Sequence, residues 1–238
     1  MLSLTPARRQ GHEILDDPLV DARLRERSMR DVTRANSLFG GAHAVIGELA
    51  YVLDRLGRGP ATLLDVGTGL GDIPARARER AAQAGVVLHT VGVDAAESLL
   101  LAGRARSDGR LIAVRADALR LPFPDRSIDV VVCSQVLHHF GDADARRVLA
   151  ELDRVARRFV IVADLRRSWV AAAGLWAASF PLRFHPVSRH DGVLSVLRGF
   201  TPRELREAVR AATGCTAVVR RRRGFRVTAC WSPRERAA

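Results

Sequence analysis

The chain has 238 residues, 47% of them hydrophobic and 5% aromatic, which supports one folded domain with at most a small attachment and excludes wholesale disorder. All 38 basic residues are arginine and give a formal charge of +12. They are spread along the chain rather than gathered with aromatics into a stripe, so nucleic acid is not the expected partner. Cys133, Cys215 and Cys230 stand in no Cys-x-x-Cys or His-rich cluster, so neither a disulfide framework nor a metal site is expected. The opening residues carry no secretory pattern, and no run approaches the roughly 20 apolar residues of a spanning helix. A cytoplasmic, soluble protein is the expectation.

From Ala7 to about Leu56 apolar residues recur at three- and four-residue spacings, most clearly in "DARLRERSMRDV" and "AHAVIGELAYVLDRL". A helical arm over 1–57 is predicted, broken at Gly40 and Gly41, with "GRGPA" separating it from a second unit over 58–238. There the pattern alternates. "TLLDVG", "VVLHTVGVD", "LIAVRAD", "SIDVVVCS" and "FVIVADL" read as strands, with helical segments between them. Asp142 is the expected cap of the helix that buries Val148, Leu149, Leu152, Val155 and Ala156. Continuous apolar strands alternating with helices imply an α/β fold with a parallel sheet covered on both faces. A segment over 166–200 follows the fifth strand. "TPRE", Thr201 to Glu204, is then a capping box opening a helix. "CTAVVRR" and "GFRVTACW" form a terminal hairpin.

In such sheets a ligand lies at the carboxyl ends of the strands. The turn after the first strand, "LLDVGTGLGD", spaces its glycines as Asp65-x-Gly67-x-Gly69-x-Gly71 and departs from the G-x-G-x-x-G spacing that clamps a pyrophosphate. Alone this is a weak distinction. Asp94 ends the second strand, where a carboxylate can accept both ribose hydroxyl protons. Asp117 and the backbone N–H of Ala118 follow the third, in reach of an adenine edge.

Together "LLDVGTGLGD", "VGVD" and "RADALRLPFPDRSIDVVVCSQVLHHF" resemble the class I S-adenosylmethionine-dependent methyltransferases, in particular their small-molecule group, over about Thr62 to Ala163. The resemblance implies a Rossmann-like sheet of seven strands, mostly parallel, with an antiparallel terminal hairpin. It implies S-adenosylmethionine as cofactor and S-adenosylhomocysteine as product. By the same resemblance Asp65 sits near the methionine amino group, beside the backbone of Gly67, Thr68, Gly69 and Gly71. Asp94 holds the ribose, with Ala95 beside the adenine. Asp117 accepts from the adenine amine, Ala118 donates to a ring nitrogen, and Ser134 and Gln135 flank the methionine part. One departure is that "RVARRFVIV" enters the fifth strand without the usual Pro-Gly-Gly turn.

Methyl transfer from a sulfonium is an in-line displacement that needs alignment and exclusion of water, and a hydroxyl acceptor adds the need for a base. His138 and His139, after the fourth strand, and His190, in the inserted segment, are the candidate bases; His185 beside Pro186 reads as structural. The uncharged stretch from Trp169 to Pro181 fits a lid, an interfacial helix or core covering, and a lid over the acceptor is favoured. Met29, Val32, Leu38 and Phe39 would close the other side. The expected acceptor is a small, largely apolar metabolite of phenol, polyketide or quinone-precursor type, with O-methylation ahead of C-methylation. An RNA methyltransferase and a non-catalytic adenosyl-binding protein are the alternatives, and the run Arg220 to Arg223 reads as a solvated hairpin end.

Overall fold

A computed structural model describes residues 5–17, 19–57 and 59–234. Met1 to Leu4, Arg58 of the "GRGPA" break and the last four residues of the 58–238 unit lie outside the described residues. Seven strands form one sheet: β1 (Pro60–Val66), β2 (Val87–Asp94), β3 (Ile112–Arg115), β4 (Ile128–Ser134), β5 (Ala156–Leu165), β6 (Val218–Arg222) and β7 (Arg226–Trp231). Their order is β3-β2-β1-β4-β5-β7-β6. β1 to β5 run parallel, and β7 is antiparallel to both β5 and β6. The order reverses between β1 and β4, and a crevice opens there at the strands' carboxyl ends.

The strands alternate between two cores. Leu64, Val66, Val131 and Cys133 pack with Leu149 and Leu152 of α5 (Asp142–Val155) and with Leu205 and Val209 of α8 (Pro202–Thr213). Leu63, Val130, Val132 and Ile161 face the other way, onto α2 (Gly41–Leu56) and α3 (Asp72–Gln83). Both faces are thus covered, which is why these strands lack a polar alternation. The "TPRE" box forms as its residues dictate: the Thr201 hydroxyl accepts from the Glu204 N–H, and the Glu204 carboxylate accepts from the Thr201 N–H.

Several local expectations are corrected. Only α1 (Ala22–Leu38) and α2 are long helices in the N-terminal region. Residues 7–17 form no helix beyond a 3-10 turn at Ile14–Asp16, because their backbone is held from outside. The Asp191 carboxylate accepts from the N–H groups of Ile14 and Leu15 at 3.0 Å each, and Arg9 N–H donates to the Leu197 carbonyl. Gly141, not Asp142, caps α5; Asp142 is its first residue and pairs with Arg8. α5 runs directly into β5, as the missing Pro-Gly-Gly turn requires. The register slips there between Ile128–Ala156 and Val130–Phe159, and Arg157 is drawn onto Asp129.

The arginine run is solvated only in part: Arg221 and Arg223 are exposed, whereas Arg220 and Arg222 are held. Arg220 and Arg222 each donate to the buried Glu48 carboxylate, at 2.8 and 2.7 Å, and the Thr228 hydroxyl donates to it too. The hairpin is thereby pinned to α2. Removing the cations of a buried ion pair leaves its partner uncompensated, so Arg220→Ala/Arg222→Ala is expected to destabilise the fold by about 3 kcal/mol. Urea denaturation checks this; an unchanged midpoint would show the pair to be idle.

Candidate active site

The glycine turn after β1 has a backbone only glycine adopts readily: Gly67, Gly69 and Gly71 have φ of +75°, +52° and +75°. A Cβ on Gly67 would lie 2.1 Å from Val136 Cγ2, and one on Gly71 2.9 Å from Leu111 Cδ2. The turn is tied to β2, because the N–H groups of Gly67 and Thr68 both donate to the Val93 carbonyl. Asp94 completes the tie, accepting from the Gly69 N–H and the Ala96 N–H at 2.9 Å each. Burial raises the Asp94 pKa against these bonds.

Asp65 lies beneath the turn and is 1% exposed. Neither of its carboxylate oxygens has a hydrogen-bond partner, and the buried Thr68 hydroxyl and Asp72 Oδ2 are likewise unpaired. Burial pushes the Asp65 pKa up to about 7, against the lowering effect of the neighbouring Thr68 hydroxyl and with the nearby charges of Asp72 and Asp94 adding to the rise. A buried acid left unpaired is costly, and a cationic group that donates hydrogen bonds relieves it. The amino group at the methionine end of S-adenosylmethionine is such a group, so this residue set fits that cofactor.

The remaining sequence-derived residues converge on the same cavity of about 1080 Å³, lined by Asp65, Asp94, Ala95, Asp117, Ala118 and Ser134 among others. Asp117 sits exposed at its rim and accepts from the Leu119 N–H. Gln135 adopts φ +57°, with its N–H donating to the Ala163 carbonyl, so the chain turns sharply away from β4 at the crevice. The volume exceeds that of most single-ligand pockets and accommodates a cofactor with an acceptor. Apolar walls come from α1 (Met29, Val32), from α6 (Trp169–Ser179; Ala171, Leu175) and from α7 (Pro186–Arg198; Val196). Phe39 also lines it, whereas Leu38 is exposed.

The three candidate bases separate. His138 is 3% exposed and lines the cavity; its Nδ1 lies 2.6 Å from Asp164 Oδ1, and its N–H donates to Asp164 Oδ2. Burial alone would raise the Asp164 pKa, but His138 and the Leu165 N–H hold it below the ordinary carboxylate value. An ionised carboxylate only accepts, so Nδ1 carries a hydrogen; Nε2 points the other way, 3.7 Å from Glu13 Oε1. His139 also lines the cavity, with Nδ1 2.9 Å from Asp16. Burial disfavours its charged form, but the Asp16 bond and the charges of Glu13 and Asp16 outweigh this and raise its pKa. His190 is 60% exposed, pairs with Asp191 and is not among the cavity-lining residues. His185 caps α7, its Nδ1 accepting from the Val187 N–H.

Sequence reasoning missed Asp164, Glu13, Asp16 and Arg198. Asp164 carried a usable signal, an acid near the carboxyl end of an apolar strand, the same one that points to Asp94. Glu13 and Asp16 lie in a stretch without periodicity and reach the site only through tertiary docking. Ligating atoms of Glu13, His138 and His139 lie within 4.8 Å of one another. The Arg198 guanidinium, 3.5 Å from Glu13, supplies positive charge to this cluster.

Comparison with known proteins bears on the fold and on the family. A family model described as "Methyltransferase domain" matches residues 64–162. The chain is similar to the demethylmenaquinone methyltransferase of Deinococcus radiodurans, 34% identical over 151 residues, 61% of this chain and 58% of that protein. It is similar to the Thermus thermophilus demethylmenaquinone methyltransferase at 40% over 103 residues, 42% of this chain and 44% of that protein. It is also similar to the ubiquinone/menaquinone biosynthesis C-methyltransferase of Dinoroseobacter shibae at 39% over 127 residues, 50% of this chain and 46% of that protein. The chain thus spans about half the length of these curated relatives. In fold it resembles magnesium protoporphyrin IX methyltransferase from Synechocystis with bound SAH, with a TM-score of 0.59, 15% identity and coverage of 85% and 87% of the two chains. A SAM-dependent methyltransferase from Aquifex aeolicus gives a TM-score of 0.58 at 15% identity, covering 84% of this chain and 97% of that one. Residues 64–162 therefore match a methyltransferase domain, set in a fold similar to that of S-adenosylmethionine-dependent methyltransferases.

Proposed function

We propose that the protein transfers the methyl group of S-adenosylmethionine to a ring carbon of a small, largely apolar phenol or hydroquinone. The observation that carries this is the His138–Asp164 pair in the wall of a cavity that also contains the glycine turn. The printed names of the relatives, demethylmenaquinone methyltransferase and quinone-biosynthesis C-methyltransferase, move the reading from the O-methylation expected from sequence to C-methylation.

When bound, the cofactor supplies a methyl group on a sulfonium, an electrophile that needs only an aligned nucleophile. Asp65 would receive the amino group of its methionine part, with Ser134 and Gln135 alongside. Asp94 would accept from the ribose hydroxyls, Ala95 would lie against the adenine, and Asp117 and the Ala118 N–H would bind its edge. Asp164 fixes the His138 ring, and His138 Nε2 takes the acceptor's hydroxyl proton. The resulting phenolate pushes electron density into its ring, so that a ring carbon becomes the nucleophile. As that carbon bonds to the methyl group the methyl–sulfur bond breaks; the carbon's own proton then passes to water, which restores the aromatic ring, and His138 returns its proton to the oxygen. The segment 166–200 and α1 close over the acceptor and exclude water.

Incubation with methyl-13C-labelled S-adenosylmethionine and a panel of hydroquinones, phenols and RNA tests the reading. Formation of S-adenosylhomocysteine together with a ring C-methyl carbon resonance is expected. An O-methyl product would retain the base and overturn the carbon assignment; turnover with RNA alone would overturn the acceptor class.

A further inference from the structure

The outward face of α6 has no role in the site described above, apart from Val170 at its edge, which also lines the cavity. Its exposed residues Trp169, Val170, Ala173, Trp176 and Ala177, continued by Phe180 just beyond its end, fall at i, i+1, i+4, i+7, i+8 and i+11, a single stripe about 120° wide on a helix. Trp169, Trp176 and Phe180 are 45%, 54% and 48% exposed. The opposite face, with Ala172 and Leu175, packs against Val193, Val196 and Leu197 of α7. The stripe is therefore a surplus apolar surface rather than a core face out of place, and contiguous exposed apolar patches mark interaction sites.

The rim of the stripe favours one kind of partner. No Asp or Glu occurs between Asp164 and Asp191, whereas Arg183 and Arg189 follow the helix; Arg166 and Arg167, which precede it, are engaged by Phe225 and Glu204 and take no part. The Arg189 guanidinium lies 3.7 Å from the centre of the Phe180 ring, and that of Arg9 5.8 Å from the Trp169 ring. Arg183 is exposed in the loop that follows. Tryptophans set among arginines combine an apolar body that enters the acyl boundary with cations that meet anionic headgroups. A water-soluble partner would need acidic groups spaced around an apolar ridge, whereas an anionic bilayer presents both features everywhere.

We propose that α6 is an interfacial helix that docks the protein on an anionic membrane surface, with Trp169, Trp176 and Phe180 in the headgroup region. No helix among the described residues is long and apolar enough to cross a membrane, so the contact is peripheral. α6 also lines the cavity through Val170, Ala171, Gly174 and Leu175, which sets it between cavity and bilayer. That gives an apolar acceptor an entry past α6 without crossing water, a consequence that rests on the function proposed above; the docking itself does not.

The test uses the purified full chain and vesicles, without cofactor or acceptor, so its failure leaves the methyl-transfer reading untouched. Co-sedimentation with phosphatidylcholine vesicles containing phosphatidylglycerol is expected, with little binding to phosphatidylcholine alone. In the unaltered protein, brominated acyl chains are expected to quench tryptophan emission, since Trp169 and Trp176 are exposed while Trp231 is buried. Trp176→Ser/Phe180→Ser is expected to weaken vesicle binding about tenfold or more, with an unchanged thermal unfolding transition. Binding that survives this double substitution, or that occurs without quenching, would show adsorption through the general positive charge and overturn the proposal. So would a dimer in light scattering that the same substitutions convert to a monomer, because the stripe would then join two copies of the chain.

Discussion

Replacing His138 with alanine is expected to lower kcat by about 10²- to 10⁴-fold, the usual contribution of a positioned general base, while S-adenosylhomocysteine binds as before. The expectation follows from the geometry of the pair. Asp164 is fully buried, and its carboxylate accepts from both the ring and the backbone N–H of His138. It fixes the ring's orientation and its tautomer together. Asp164→Asn should therefore also be impaired, since an amide can donate to Nδ1 and turn the ring's remaining hydrogen toward the acceptor. The two losses should not add, because both remove one function. His139→Ala should fall well short of either, since that ring is engaged by Asp16. Steady-state rates for the three variants decide the matter. A His138→Ala enzyme with near-normal kcat would reduce the pair to a packing feature.

The second large effect belongs to Asp94. Asp94→Ala is expected to weaken S-adenosylhomocysteine binding by about 10- to 100-fold, as loss of one charged hydrogen bond implies. Part of that loss arises in the protein itself. Asp94 accepts from Gly69 and Ala96, so its removal loosens both the glycine turn and the entry to α4 (Glu97–Arg106). A fall in the thermal transition should accompany the loss of affinity. Asp94→Asn retains one accepting oxygen and should lie between. Calorimetric titration of the three proteins measures this. Equal affinities would remove Asp94 from the ribose contact.

Much of this site was readable from the chain because its residues follow strand ends. β1, β2 and β4 are apolar runs ending in "DVG", "VGVD" and "VVCS", and each end carries the residue that the topology brings to the crevice. The parallel sheet was legible too, because continuous apolar strands alternating with helices need both faces covered. Less legible were contacts made by segments without a period. Residues 7–17 show no cue for their non-helical course, since it is imposed by Asp191 and by carbonyls at the end of α7. The arginines at 220 and 222 looked like a charged tip because the single buried acid that pairs with them is 172 and 174 residues away. Histidines were found by type and position, yet burial separates them: His138 lies in the cavity wall and His190 is in solvent.

The central claim is that the buried, unpaired Asp65 carboxylate receives the cofactor's amino group. Its pKa of about 7 makes this directly testable. Below that value the folded protein holds a proton on Asp65, which must leave before an ammonium group can pair with the carboxylate. Affinity should therefore rise with pH, by about tenfold per unit well below 7, and level off above it. Calorimetric titration of S-adenosylhomocysteine from about pH 5.5 to about pH 8 is the measurement, run on the unaltered protein and on Asp65→Asn. The account predicts proton release on binding at low pH, and weaker, flatter binding in the variant. Affinity that is constant across this range, or an Asp65→Asn protein that binds as tightly as the unaltered one, would contradict it.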